Sequence, residues 1–590
     1  MKTRRITILI TLLTLLLTVG CVKKDPHTKL KESFNKAELL ILKENTSANA
    51  IITDFEVVDK FEDYQITWTS DKPENITIDG NKVSVTLGNE IILVKLTATI
   101  KIEEEIITRT IEITILNNGG NGVESRKGTF NRSFPAYYEK GVPLIDDAHI
   151  IYINWDGFGH YYLEEFFESE AGKNSTLFKL KEEGVYFKDL RNTFPSLTNP
   201  VQNQILSGGT SLITKNIYRY YNKETDTVIQ QARENNALIL PQVTVEAGLS
   251  TASVAMYLAE PYLTSTDINK LYIPADTSNP KVVARGESKS TDHFSRMEQA
   301  IKMIKGEEVM VGGKGFVFDE MPRFTLIYAD DIDGVGHNEK STYGYPFSNS
   351  EQGRIDNVVN SLAGLDEKIG ELVQLYKDKG LYEKTVFVIT TDHGMSPFGS
   401  PSSIVVGKYS ESKINDLKTK IESINPSYQF EYLDPGQSPS ADTNIVAVGQ
   451  NLQLALTFLN GSPSAAEYNL IKQALMAEEY VGLVRSKDEL IIEDKVWAGA
   501  NIDILVVPSE QYHFSTSAGV LGHFLVQATH DTYLETSRHI YGIVFGGPVK
   551  QGVITTKVEN VSLGHVIADT LEINLGPTAT APKINFLKED

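Results

Sequence analysis

Ile150-Ile151-Tyr152-Ile153-Asn154-Trp155-Asp156-Gly157 reads as an apolar strand that delivers an acid and a glycine at its tip. A run that is apolar on both alternating faces belongs to a strand buried on both sides, as in a parallel sheet covered by helices. Comparable runs recur at 252–258, 324–328, 385–389, 504–507 and 541–545. Between them, Ile355, Val358, Val359, Leu362, Ile369, Leu372, Val373 and Tyr376 return at three- and four-residue steps, and Lys377, Lys379 and Gly380 supply a cationic last turn and a stop. Strands alternating with helices predict an α/β domain over 130–590, a largely parallel sheet with helices on both faces.

Three of these strands are followed by acids and histidines in tight groups: Asp156-Gly157, Asp331-Ile332-Asp333-Gly334-Val335-Gly336-His337, and Thr391-Asp392-His393-Gly394. Strand ends are where open α/β sheets bind ligands. Asp oxygens and His nitrogens suit zinc, and two such ions about 3.5 to 4 Å apart can clamp the entering and leaving oxygens of a phosphoryl group. A fourth segment, Phe194-Pro195-Ser196-Leu197-Thr198-Asn199-Pro200, offers a hydroxyl nucleophile, although a threonine there could equally cap a helix.

In this order the four segments resemble the alkaline phosphatase superfamily, and within it the nucleotide pyrophosphatase/phosphodiesterase-like branch, over residues 148–590. The resemblance implies an alkaline-phosphatase-like fold, two zinc ions and Thr198 as the catalytic nucleophile that forms a phosphothreonine. It implies Asp156, Asp392 and His393, with Thr198, as ligands of one zinc, and Asp333 and His337 as ligands of the other. The last ligand is to come from the C-terminal part, where His513, His523, His530, His539 and His565 compete. In the family a Gly-Pro follows that histidine at the end of a strand; Gly547-Pro548 stands in that relation to His530, with His523 as runner-up. Family members also carry a Gly-Ile-x-x-Asn whose Asn binds a phosphate oxygen. Here the run is Asn216-Ile217-Tyr218-Arg219-Tyr220-Tyr221-Asn222, so the donor is displaced, and Asn199 is the substrate-binding candidate, as a Thr-Asn pair suggests in phosphonate-cleaving relatives. The interval 400–520 reads as a cap-like insertion that shapes the substrate pocket.

The implied activity is hydrolysis of a small phosphate ester, most directly a phosphodiester or pyrophosphate of a nucleotide or lipid head group. Phosphomonoester, phosphonate or sulfate ester cleavage on the same fold stays open, as does a non-catalytic surface binding protein. A sulfatase would carry Cys or Ser in a Cys/Ser-x-Pro-x-Arg context, where this chain has Thr198-Asn199-Pro200. A mutase would carry Ser there and stay in the cytosol.

Upstream, 64–69, 76–78, 83–87, 93–102 and 106–115 alternate with period two, which predicts an all-β sandwich at 37–116, similar to bacterial immunoglobulin-like domains. Asn117-Asn118-Gly119-Gly120-Asn121-Gly122 opens a linker at 117–129. At the start, Lys2, Arg4 and Arg5 precede an apolar run from Ile6 to Gly20, the layout of a signal peptide at 1–20. Cys21, the only cysteine, resembles the acylated residue of a bacterial lipobox, with Thr18 where Leu is usual. The expectation is an extracytoplasmic protein held at the cell membrane through Cys21 and a polar tether at 21–36. With 590 residues, 41% hydrophobic and 23% charged, the composition is that of a multidomain globular protein, and a net charge of -21 disfavours a nucleic-acid-binding scaffold.

Overall fold

The computed structural model describes residues 28–43, 45, 48, 51, 53–88, 92–102, 105–115, 147–282, 291–338, 343–399, 411–516, 526–576 and 579–588. The expected signal peptide, Cys21, the linker and His523 lie outside the described residues. The described residues fall into two compact units, the first ending at Ile115 and the second beginning at Asp147. Among them no helix is long and apolar enough to cross a membrane.

The first unit is a small β-sandwich of two four-stranded sheets with antiparallel pairing. Its longest hairpin joins Ile92–Ile102 to Glu105–Ile115. Val94, Leu96, Ile113 and Ile115 of this hairpin pack with Phe55, Val57, Ile76 and Val83 of the other sheet, the inward half of each alternation. Arg109 closes one end by donating to the Phe34 carbonyl at 2.8 Å, at the C-terminus of the helix Thr28–Lys36.

The second unit is organised by an eight-stranded sheet. In spatial order its strands are Lys270–Ile273, Thr251–Val254, Phe324–Ala329, His149–Trp155, Thr385–Thr390, Gly542–Phe545, Val185–Phe187 and Gly552–Ile554. All run in one direction except Gly542–Phe545, which is antiparallel to both neighbours. The central strand shows why its sequence is apolar throughout. Ile151, Ile153 and Trp155 enter a core beneath the helices His160–Glu168, Glu298–Lys305 and Glu351–Asp378. Ile150 and Tyr152 enter another, beneath Thr198–Ser207, Leu240–Glu246 and Leu563–Thr570. Helices thus cover both faces, and the C-terminal tips of the three central strands point toward one end of the sheet.

One expected sheet strand belongs elsewhere. Ile504–Pro508 lies in a separate five-stranded sheet with Phe430–Leu433, Ile445–Gln450, Gln453–Phe458 and Val481–Ser486. It is buried along its length there, as it would be in the larger sheet, so hydrophobicity alone cannot say which sheet takes it. The helices Ile414–Ile424 and Ala465–Met476 pack on this second sheet, which occupies most of the interval between His393 and His530.

Candidate metal centre

Asp156 directly follows the strand His149–Trp155, and the chain must then turn sharply. Gly157 does so at φ +78°, and a Cβ there would stand 2.7 Å from Asp333 Cα. Only glycine allows both that conformation and the close approach of the Asp333 backbone. Gly157→Ala is expected to cost about 1–2 kcal/mol for the left-handed conformation alone and to push the two acid-bearing loops apart. Misplacement of that size typically lowers turnover on the order of 10²-fold. Steady-state kinetics, with metal content by mass spectrometry, checks it; an unchanged rate would refute the packing argument.

Asp333 lies in the short helix Asp331–Gly336 that follows Phe324–Ala329, and His337, one turn on, is its C-cap, with His337 Nε2 3.2 Å from Asp333 Oδ1. Asp392 and His393 follow Thr385–Thr390. His530 follows Gln527–Thr529. The structure gathers these residues into two groups, Asp156 with Asp392 and His393, and Asp333 with His337 and His530, the ligand atoms of each lying within 4.8 Å of one another. The His393 and His530 rings stack at 3.6 Å, so the groups adjoin. In a third acidic group, Asp292, Asp330 and Asp331, Arg296 pairs with Asp292 and Asp330 and supplies compensating charge itself.

The donor atoms fit cations. His337, His393 and His530 each place Nδ1 on a backbone carbonyl, of Ala528 at 2.8 Å, Gly394 at 3.0 Å and Ser196 at 3.1 Å. A carbonyl only accepts, so Nδ1 carries a proton and Nε2 is the ring atom turned inward, the one whose lone pair can serve a cation. Burial, and then the neighbouring His393 ring, push the His530 pKa well below the usual imidazole range, which keeps that ring neutral. Facing these lone pairs, Asp156 Oδ1 and Asp333 Oδ1 are buried oxygens with no hydrogen-bond donor among the described residues. Burial, followed by the charges of Asp392 and Asp333, raises the Asp156 pKa well above the ordinary range. His393 Nε2 lies 3.2 Å from Asp156 Oδ1, close to the ~3.3 Å separating ligand atoms of a tetrahedral zinc. Lone pairs facing unpaired carboxylate oxygens call for a positive charge between them.

Thr198 opens the helix Thr198–Ser207, whose N-cap is Leu197, with no side-chain cap bond. Its Oγ1 lies instead 3.0 Å from His393 Nε2. Asn199, the next residue, accepts a hydrogen bond from Tyr257. Asn216, which stands where the expected Gly-Ile-x-x-Asn pattern has its glycine, spends its amide on the carbonyls of Ala232 and Glu234, both at 3.0 Å. His513 packs on Phe398, His539 stacks on His160 at 4.1 Å, and His565 is buried in the helix Leu563–Thr570; none of these three belongs to either group.

Several supporting residues were missed by sequence reasoning. Gln202 donates to Asp392 Oδ2 at 2.8 Å, and its only sequence signal is that it stands one helical turn after Thr198. Tyr328, inside a strand, donates to Asp156 Oδ2. Asn192 holds Ser196 Oγ and the Asp392 carbonyl. The buried Arg354 donates to the Gly336 carbonyl at 3.0 Å and to the Tyr162 hydroxyl, anchoring the helix that carries Asp333.

A largely parallel sheet whose strand tips gather two carboxylate–histidine groups around a threonine hydroxyl is the arrangement of a metal-dependent α/β hydrolase. The chain belongs to the type I phosphodiesterase / nucleotide pyrophosphatase family, whose description matches residues 150–529, with His530 directly beyond. It is 32% identical over 88 residues to ectonucleotide pyrophosphatase/phosphodiesterase 1 of Saccharomyces cerevisiae, a stretch of 15% of this chain and 11% of that protein. Among solved structures it is similar to murine ectonucleotide pyrophosphatase/phosphodiesterase 5, with 13% identity and a TM-score of 0.47, covering 72% of this chain and 95% of that one. It is also similar to phosphonoacetate hydrolase from Sinorhizobium meliloti, with 16% identity and a TM-score of 0.49, covering 73% and 99%.

Proposed function

We propose that the chain hydrolyses phosphodiester or pyrophosphate bonds of small phosphate esters through a phosphothreonine at Thr198. The observation that carries this is the Thr198 hydroxyl, 3.0 Å from His393 Nε2, beside the two carboxylate–histidine groups. Asp156, Asp392 and His393 would hold one divalent cation together with Thr198; Asp333, His337 and His530 would hold the other. The mixed oxygen and nitrogen donors favour zinc. Such ions, when bound, supply charge that favours the alkoxide of Thr198 and withdraws electron density from phosphorus.

The work of the chain's own residues follows from their placement. Thr198 Oγ1 forms a bond to phosphorus as the bond to the leaving alcohol or phosphate breaks in line, and the hydroxyl proton ends on the departing group or solvent. Water then attacks the phosphothreonine, releasing the second product and restoring the hydroxyl. Asn199 donates to a non-bridging phosphoryl oxygen, a role that Asn216 cannot fill while its amide serves Ala232 and Glu234. On the same footing, the run from Ile6 to Gly20 and Cys21 are read as an export signal and an acylation site, which would hold the enzyme at the outer side of a membrane.

The test compares zinc-loaded protein on p-nitrophenyl thymidine 5'-monophosphate and on p-nitrophenyl phosphate. A kcat/KM for the diester roughly 10²-fold or more above that for the monoester is expected. The reverse preference would make the protein a phosphomonoesterase, and turnover of neither would remove the phosphate-ester reading.

A further inference from the structure

The strand Thr251–Val254 runs beside Phe324–Ala329, and just past its tip stands Tyr257. The Tyr257 hydroxyl donates to Asn199 Oδ1 at 2.5 Å. Its ring is held on two sides. Tyr328 packs against it edge-on, with centroids 5.4 Å apart and planes at 82°, and the Arg233 guanidinium lies over it at 4.6 Å.

A carboxamide has an accepting end and a donating end, and in solution either can face a substrate. A phenol bound to Oδ1 removes that choice, because the donating Nδ2 must then point away from Tyr257. Among the described residues no hydrogen bond engages Asn199 Nδ2. We propose that Tyr257 is a positioning residue that holds Asn199 by its oxygen, so that Nδ2 is aimed at the non-bridging oxygen of the phosphoryl group that Thr198 attacks. This rests on the reading of Asn199 as the phosphate donor. A donor already in place needs no reorganisation as charge grows on the phosphoryl oxygens, so the benefit falls on the transition state. The neighbouring Tyr328 ties the same aromatic pair to Asp156 Oδ2, which gives the phosphate donor and a carboxylate of the metal centre a common support.

The test uses Tyr257→Phe, which keeps the ring on Arg233 and Tyr328 and removes only the hydroxyl, with Asn199→Ala and the double variant. Kinetics are measured on p-nitrophenyl thymidine 5'-monophosphate, orthovanadate binding by calorimetry, and melting by scanning calorimetry. Loss of a direct oxyanion donor costs about 10²–10³ in kcat; a donor left in place but unaimed is expected to cost roughly 10-fold, with KM within about twofold. Vanadate binding should weaken by a similar factor, with melting unchanged. In the Asn199→Ala background, Tyr257→Phe should then change nothing further. Additive effects, a loss confined to KM, or a lowered melting temperature shared by both backgrounds would overturn the positioning role. Wild-type kcat and vanadate affinity in Asn199→Ala itself would instead overturn the phosphate-donor reading.

Discussion

Thr198→Ala is expected to abolish turnover, with kcat lowered roughly 10³-fold or more, while the protein still binds its metal. The hydroxyl stands 3.0 Å from His393 Nε2 at the head of a buried helix, and no other hydroxyl among the described residues is hydrogen-bonded to that nitrogen. Removing it deletes the atom proposed to attack phosphorus and keeps Asp156, Asp392 and His393. Thr198→Ser, which keeps the oxygen, should recover a substantial part of the rate. A stopped reaction on labelled substrate should trap phosphate on the parent protein and on the Thr198→Ser variant, and none on Thr198→Ala. Substantial turnover by Thr198→Ala would mean that water attacks directly, and the covalent step would have to be abandoned.

Removal of metal is expected to be the largest perturbation of stability. Asp156, Asp392 and Asp333 meet behind the strand tips, and burial together with their mutual repulsion already raises the Asp156 pKa. A cation bound at a hundred times its dissociation constant adds about 2.7 kcal/mol to the folded state. Dialysis against a chelator should therefore lower the melting temperature of the second unit by on the order of 5 °C and remove activity, both restored by zinc. His530→Ala should carry one ion per chain instead of two by mass spectrometry. A melting curve indifferent to chelator would contradict the electrostatic argument directly.

Much of this arrangement could be anticipated from order along the chain. Asp156-Gly157, Asp333 with His337, and Asp392-His393 each follow an apolar strand, so sequence proximity to a strand end is already spatial information. His530 follows a strand of only three residues, after a long insertion, and needed Gly547-Pro548 to distinguish it. Tyr257, Tyr328 and Gln202 carry no such mark. They sit beside a strand tip, within a strand and on a helix face, where packing alone accounts for their types, and only the fold shows which acid or amide each one faces. The placing of Ile504–Pro508 failed for a related reason: a strand buried on both faces fits any interior sheet.

The strand order also bears on how the protein is assembled. Residues of the candidate site on neighbouring strands are remote in sequence, Gly157 and Asp392 being 235 residues apart where the backbone of one meets the carboxylate of the other. Such long loops close late, because their entropy is lost before their contacts form. The two carboxylate–histidine groups can therefore assemble only once the middle of the sheet has zipped, and an incompletely folded chain offers scattered acids and imidazoles rather than a site. Under the proposed function, metal capture would act as a final checkpoint, open only to chains whose central strands have found their partners, and binding would stabilise those chains against reopening.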